Sequence, residues 1–242
     1  MIGRRYAAAA LAAAVLGATL GACSGDGGDD AAEDTEETAG EGGGATTTTM
    51  NTGSLQVSAP DGWQPIPAPD IGIGFAVPPG WEATLLSPEG LATLAGASPA
   101  VPGFTELAHA AAAQGGVIYA AGEDQAGGIS DVVVRATPAT GVSDAQTLRY
   151  AAELTAANNG TDPTRVTVVD GAQWPTALVP FTLGAASGSD GRTAEARSVM
   201  VAGPGDILWE VTVTADDAAS LDGLTEQIRQ TLTFAPPSPP HG

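Results

Sequence analysis

One cysteine, Cys23, stands where an apolar run ends and an acidic, glycine-rich run begins, and it divides the chain by what each part can fold into. A lone cysteine cannot close an internal disulfide, so any folded part must rest on an apolar core. Upstream, Arg4 and Arg5 precede about 14 apolar residues from Ala7 to Leu20, too few to span a bilayer, which takes about 20, but suited to an export signal. Downstream, Ser24 to Thr49 carries Asp26, Asp29, Asp30, Glu33, Asp34, Glu36, Glu37 and Glu41, with no basic and no aromatic residue. Such a segment cannot bury enough surface to offset its ordering entropy, so a disordered tether is expected there, reaching roughly 25–30 Å. "SGDGGDD" lacks the spaced ligands and closing Glu of a calcium loop, which favours a solvated spacer.

The residues before the cysteine, Leu20-Gly21-Ala22-Cys23, resemble the bacterial lipobox: a leucine and two small residues ahead of an acceptor cysteine. The resemblance implies cleavage between Ala22 and Cys23 and a diacylglyceryl thioether on the Cys23 sulfur. Two or three acyl chains, at about 0.8 kcal/mol per buried methylene, anchor stably where one would not. The competing reading is an ordinary secretory signal with a chance cysteine. Charge agrees with a lipid rather than an electrostatic tether. The chain holds 28 Asp and Glu against 8 Arg and no Lys, a formal charge of −20, which argues against nucleic acid and against docking on anionic lipid.

From about Leu55 the pattern changes to short alternating runs punctuated by Gly and Pro, the signature of strands. "IGIGFAV" places Ile71, Ile73, Phe75 and Val77 on one face, and "PPGW" ends the strand. A helix is expected over Thr105–Gln114, then strands at "VIYAAG" and "ISDVVVRAT". Ser143 with Gln146 reads as a capping box for a helix with Leu148, Ala151 and Leu154 on one face, ending at Asn159-Gly160. Strands follow near Arg165–Val169, Thr176–Leu183, Arg192–Ala202 and Ile207–Ala215, with a turn at "SGSDGRT". In the last strand Ile207, Trp209, Val211 and Val213 alternate with Leu208, Glu210, Thr212 and Thr214. Ser220 then caps a helix with Leu221, Leu224, Ile228 and Leu232 on its stripe, closed by Phe234. The expected fold is α+β, an antiparallel sheet with helices covering one face. The expected division is a signal peptide over 1–22, lipidated Cys23 and linker over 23–54, a domain over 55–235 and a proline-rich tail over 236–242.

"FAVPPGW", "ILWEVTVTA" and "LTEQIRQTLTF" together resemble the Mog1/PsbP-like fold, and more narrowly the actinobacterial envelope lipoproteins that carry it. Members of that family act mainly as binding or assembly factors, and no shared catalytic residue comes with the resemblance.

Candidates for chemistry are few. His109, one helical turn after Glu106, is the only histidine inside the folded region, and His241 lies in the tail. No G-x-S-x-G, Walker loop or H-E-x-x-H occurs. The carboxylate pairs Glu123-Asp124 and Asp216-Asp217 fall in expected turns, where acids serve solvation. Trp209 and Trp81 read as structural, while Trp63 and Trp174 leave carbohydrate stacking open. Arg192 and Arg197 fall on opposite sides of a strand, so solvated ion pairs are favoured over an anion site. The expectation is a non-enzymatic envelope module without metal or cofactor, held at the cell membrane by Cys23 and facing a protein partner. A carrier of a small lipid or apolar ligand is the alternative, with hydrolase activity a distant third.

Overall fold

The computed structural model describes residues 48–52, 55–123, 127–169, 172–183, 194–215 and 217–235. The signal peptide, Ala22, Cys23, the acidic run, the "SGSDGRT" turn, Arg192, Asp124, Asp216 and the tail over 236–242 lie outside the described residues.

The strands and helices follow in this order. First come β1 (Thr48–Thr52), β2 (Leu55–Ala59), β3 (Gln64–Ala68), β4 (Ile73–Val77) and β5 (Glu82–Leu85), then α1 (Pro88–Ala95) and α2 (Phe104–Ala113). The central part holds β6 (Gly116–Glu123), β7 (Ile129–Pro138), α3 (Ala145–Asn158) and β8 (Thr167–Val169). The C-terminal part holds β9 (Thr176–Leu183), β10 (Ala194–Gly203), β11 (Ile207–Ala215), α4 (Ala218–Thr231) and β12 (Thr233–Phe234). A seven-stranded antiparallel sheet runs β5-β6-β7-β11-β10-β9-β8, and a three-stranded one runs β12-β4-β3. β1 pairs with β2, so pairing reaches back into the end of the segment read as linker.

The fold is α+β, with four α-helices among the described residues and antiparallel pairing throughout the large sheet, and the helices lie on both of its faces rather than one. On the first face, Ile118, Val132, Val134, Val199, Val201, Trp209, Val211 and Val213 form one core with Ile73, Phe75 and Val77 of β4 and with Leu221 and Ile228 of α4. On the second, α3 sets Leu148, Ala152 and Ala156 on Ala177, Val179, Phe181, Ala196 and Met200. Also on the second face, α2 sets Phe104, Ala108 and Ala111 on Tyr119 and Ala121. The reason is in the strands themselves. β6, β7 and β10 carry apolar residues at both parities (Ile118 and Tyr119, Val132 and Val133, Val199 and Met200), and a strand apolar on both sides needs cover on both.

The small sheet is itself covered by β2, whose Leu55, Val57 and Ala59 are fully buried. Gly74 permits that approach, because a Cβ there would overlap the Val57 Cγ2 methyl and stand 3.1 Å from Leu55 Cδ2. The C-terminal end of α4 is tied to the same sheet: the Ala76 N–H donates to Thr231 Oγ1 at 2.9 Å, and the Ala235 N–H donates to the Gly72 carbonyl.

Local capping differs from the sequence expectation. α3 is capped by Asp144, whose Oδ1 accepts from the Gln146 and Thr147 N–H groups, while Thr147 Oγ1 accepts from the Asp144 N–H. The capping box is therefore one residue later than Ser143 and Gln146, and the buried stripe shifts with it: Leu154 is 53% exposed. Asp217, not Ser220, caps α4, accepting from the Ser220 N–H. In both places a nearby aspartate, one residue after Ser143 and three before Ser220, is the acceptor at the helix N-terminus instead of the serine. Leu232 follows α4, and Phe234 lies in a short strand rather than closing the helix.

Candidate functional site

The residues singled out in the sequence stand apart from one another. His109 and Glu106 are both exposed on α2. Trp63 and Trp174 are half-buried and pack against the core around Trp209. Trp81 is 4% exposed and Trp209 1%, and neither indole N–H has a hydrogen-bond partner. Of the carboxylate pairs, Glu123 is exposed at the end of β6, and Asp217 is spent on the α4 cap. Arg197 pairs with Asp222 of α4, and Arg229 with Glu226 one turn before it. Among the described residues no group of His, Cys, Asp and Glu could hold a metal ion. None of their helices is long and apolar enough to cross a membrane.

What the structure does bring together is a polar row on the second face of the large sheet, where α2 lies over β6 and α3 lies over β9 and β10. The row crosses β10, β11 and β7, strands whose register sets Ser198 opposite Thr212, and Thr214 opposite Asp131. Ser198 and Thr212 are buried, with their hydroxyls 2.8 Å apart, and Ser198 Oγ also donates to Glu210 Oε1 at 2.9 Å. The sequence pattern presents Glu210, Thr212 and Thr214 as the outer side of β11, but flanking helices make it a second interior. Arg135 lies across from Glu210 and spends its guanidinium on Gln114, donating to the backbone carbonyl and to Oε1.

Asp131 is the unusual member. It sits on β7 between Ile129 and Val133, both of which pack into the α2 core, and opposite Ala121 of β6. Burial among these apolar neighbours raises its carboxyl to about 6 from the usual 3.8, although the Thr214 and Tyr119 hydroxyls favour the charged form. Loss of hydration therefore outweighs two hydrogen-bond donors. The ion pairs among the described residues, Arg197–Asp222 and Arg229–Glu226, do not reach it. The Tyr119 ring in turn lies against Phe104 at the start of α2, with centroids 5.1 Å apart.

This row was not singled out from sequence, yet a signal existed. In "ISDVVVRAT" Asp131 shares parity with Ile129 and Val133, so a face holding all three is a buried one interrupted by a carboxylate.

No family model and no curated protein matches the chain. Among solved structures it is similar to a crystal structure from Bacteroides thetaiotaomicron VPI-5482, at 12% identity and a TM-score of 0.40. The match covers 72% of this chain and 49% of that one, so this chain spans about half the neighbour's length.

Proposed function

We propose that the chain is an extracytoplasmic lipoprotein, anchored in the cell membrane through Cys23, whose α+β domain is a non-catalytic binding or assembly module of the cell envelope. The observation that carries the reading over that of a ligand carrier is the filling of the space between sheet and α4. Phe75, Ile73, Ile118 and Ile228 are fully buried there and Trp209 nearly so, with the Trp209 ring 5.9 Å from that of Phe234. A carrier needs an apolar cavity of several hundred Å³ at that position. The hollow beside Trp81, of about 360 Å³, is open and lined in part by Leu94, Pro99 and Phe104. Its Glu82 carboxylate already accepts from the Ala100 and Val101 N–H groups. The Mog1/PsbP-like resemblance of "FAVPPGW" and "ILWEVTVTA" supports a binding role, and the lipobox supports the address.

The test joins anchor and cargo in one experiment. Cells expressing the full chain are fed a clickable fatty acid, and the purified protein is extracted with organic solvent. Wild type should carry covalent label that Cys23→Ala loses, and neither protein should release stoichiometric lipid. Equal labelling of the two would remove the anchor. One mole of extractable lipid per mole of protein would replace the binding module by a carrier.

A further inference from the structure

Three large apolar side chains are exposed among the described residues, and two of them, Tyr150 at 71% and Leu154 at 53%, stand one turn apart on α3. At 3.6 residues per turn they share about 60° of the helix with exposed Ala157, away from Leu148, Ala152 and Ala156, which face the core. One flank of this stripe carries Arg149 and Glu153, the only charged residues of α3. α3 is therefore charge-balanced, whereas α1 (Glu89), α2 (Glu106) and α4 (Asp222 and Glu226 against Arg229) are each net negative, on a chain of formal charge −20. Arg149 and Glu153 are four residues apart, yet no ion pair joins them. Their order explains this: arginine ahead of glutamate is the weaker arrangement at this spacing, and it runs against the helix dipole.

We propose that this face of α3 binds α3 of a second copy of the chain, antiparallel, about a twofold axis near Ala151. A twofold contact must be self-complementary, and this face is. At 1.5 Å per residue, Arg149 lies about 3 Å before the axis and Glu153 about 3 Å beyond it, on the same flank. Each arginine then stands level with the glutamate of the other copy. A charge order that is unfavourable within one helix becomes favourable between two. The apolar residues interleave by the same arithmetic, each Tyr150 falling level with the gap between the other copy's Tyr150 and Leu154. An open hollow of about 360 Å³, lined by Ala145, Gln146, Arg149 and Val168, leaves room on the arginine flank for the incoming helix. A 14-residue helix, about 21 Å long, buries less than the roughly 800 Å² per partner of a stable interface, so the pairing is weak and reversible. The net charge keeps copies apart elsewhere, and balanced α3 is where they can meet. The contact requires no anchor at Cys23.

The test uses two full-length copies with different epitope tags, co-expressed with the photo-crosslinking residue p-benzoylphenylalanine in place of Tyr150, which keeps an aromatic ring there. Irradiation of intact cells should give a band at twice the monomer mass that carries both tags. The same residue in place of Leu85, exposed at the end of β5, should give none. Arg149→Glu or Glu153→Arg alone sets like charges against each other on both sides of the axis and should lower the yield about tenfold. Co-expressing the two variants, one on each tagged copy, sets every glutamate level with an arginine and should restore the band to at least the wild-type yield. A merely structural role for either residue would not give that rescue. The contact is overturned by the absence of a double-tagged band from position 150, or by crosslinking there to a different protein instead. It is equally overturned if the yield is indifferent to the single charge reversals, or if the mixed pair fails to restore what they remove.

Discussion

Replacing Gly122 by alanine probes the packing of β6 against the loop that follows β4. The Trp81 indole is 4% exposed and lies directly on Gly122, where a Cβ would overlap Cδ1 and stand 2.5 Å from Cγ and 2.6 Å from Nε1. An indole is rigid, so the ring must shift as a unit or leave. Overpacking of this kind costs about 1–3 kcal/mol when the core absorbs it. The ceiling is the cost of losing the ring altogether, about 3–5 kcal/mol as for a buried aromatic cut back to alanine. Gly122→Ala should therefore cost about 2–4 kcal/mol. In a Trp81→Ala background the clash vanishes, and alanine is favoured over glycine in a strand by about 0.5–1 kcal/mol, so the same change should become mildly stabilising. Urea denaturation followed by far-UV circular dichroism on the four proteins should give a coupling of about 4 kcal/mol. An equal cost of Gly122→Ala in both backgrounds would refute the contact.

Thr231→Val keeps the shape at the end of α4 but leaves the buried Ala76 N–H without its acceptor, and should cost about 1–3 kcal/mol in the same assay. Asp131→Asn should stabilise the protein above pH 6 and be neutral below pH 4. A folded-state value raised from 3.8 to about 6 means that Asp131 contributes fully at low pH and loses that contribution as pH rises through 6. The corresponding ceiling is about 3 kcal/mol, reduced by the solvent that Asp131 still meets, and denaturation at pH 4 and pH 7.5 measures it.

Alternation made β4 and β11 legible, and β6, β7, β9 and β10 were legible as short apolar runs bounded by turn residues. α2, α3 and α4 were legible from their apolar spacing and stops. What escaped was cover on the second face. Reading Leu208, Glu210, Thr212 and Thr214 as an outer side treats polarity as exposure, whereas Thr212 is buried with its hydroxyl bonded to Ser198 across the strand pair. α1 hid in a Pro- and Gly-rich stretch because its start signals, Ser87 as cap and Pro88 in the first turn, resemble those of a loop. Asp131 escaped because its significance lies in Tyr119 and Thr214, brought to it by pairing that a linear pattern does not contain.

The strand order also fixes when the fold can close. β6 with β7, and β9 through β11, are local hairpins of the kind that form in microseconds. The seam between β7 and β11 joins the two halves across α3, and the β4 sheet receives its third strand only from Thr233 and Phe234. Until those residues arrive, Ile73, Phe75 and Val77 lack α4 on one side, and the β4 edge lacks β12. A chain made or delivered from its N-terminus therefore holds an open apolar strand through most of its own synthesis. Such non-local closure is slow and exposes the intermediate to aggregation. Chains cut before α4 should need a holding chaperone that the complete chain can release.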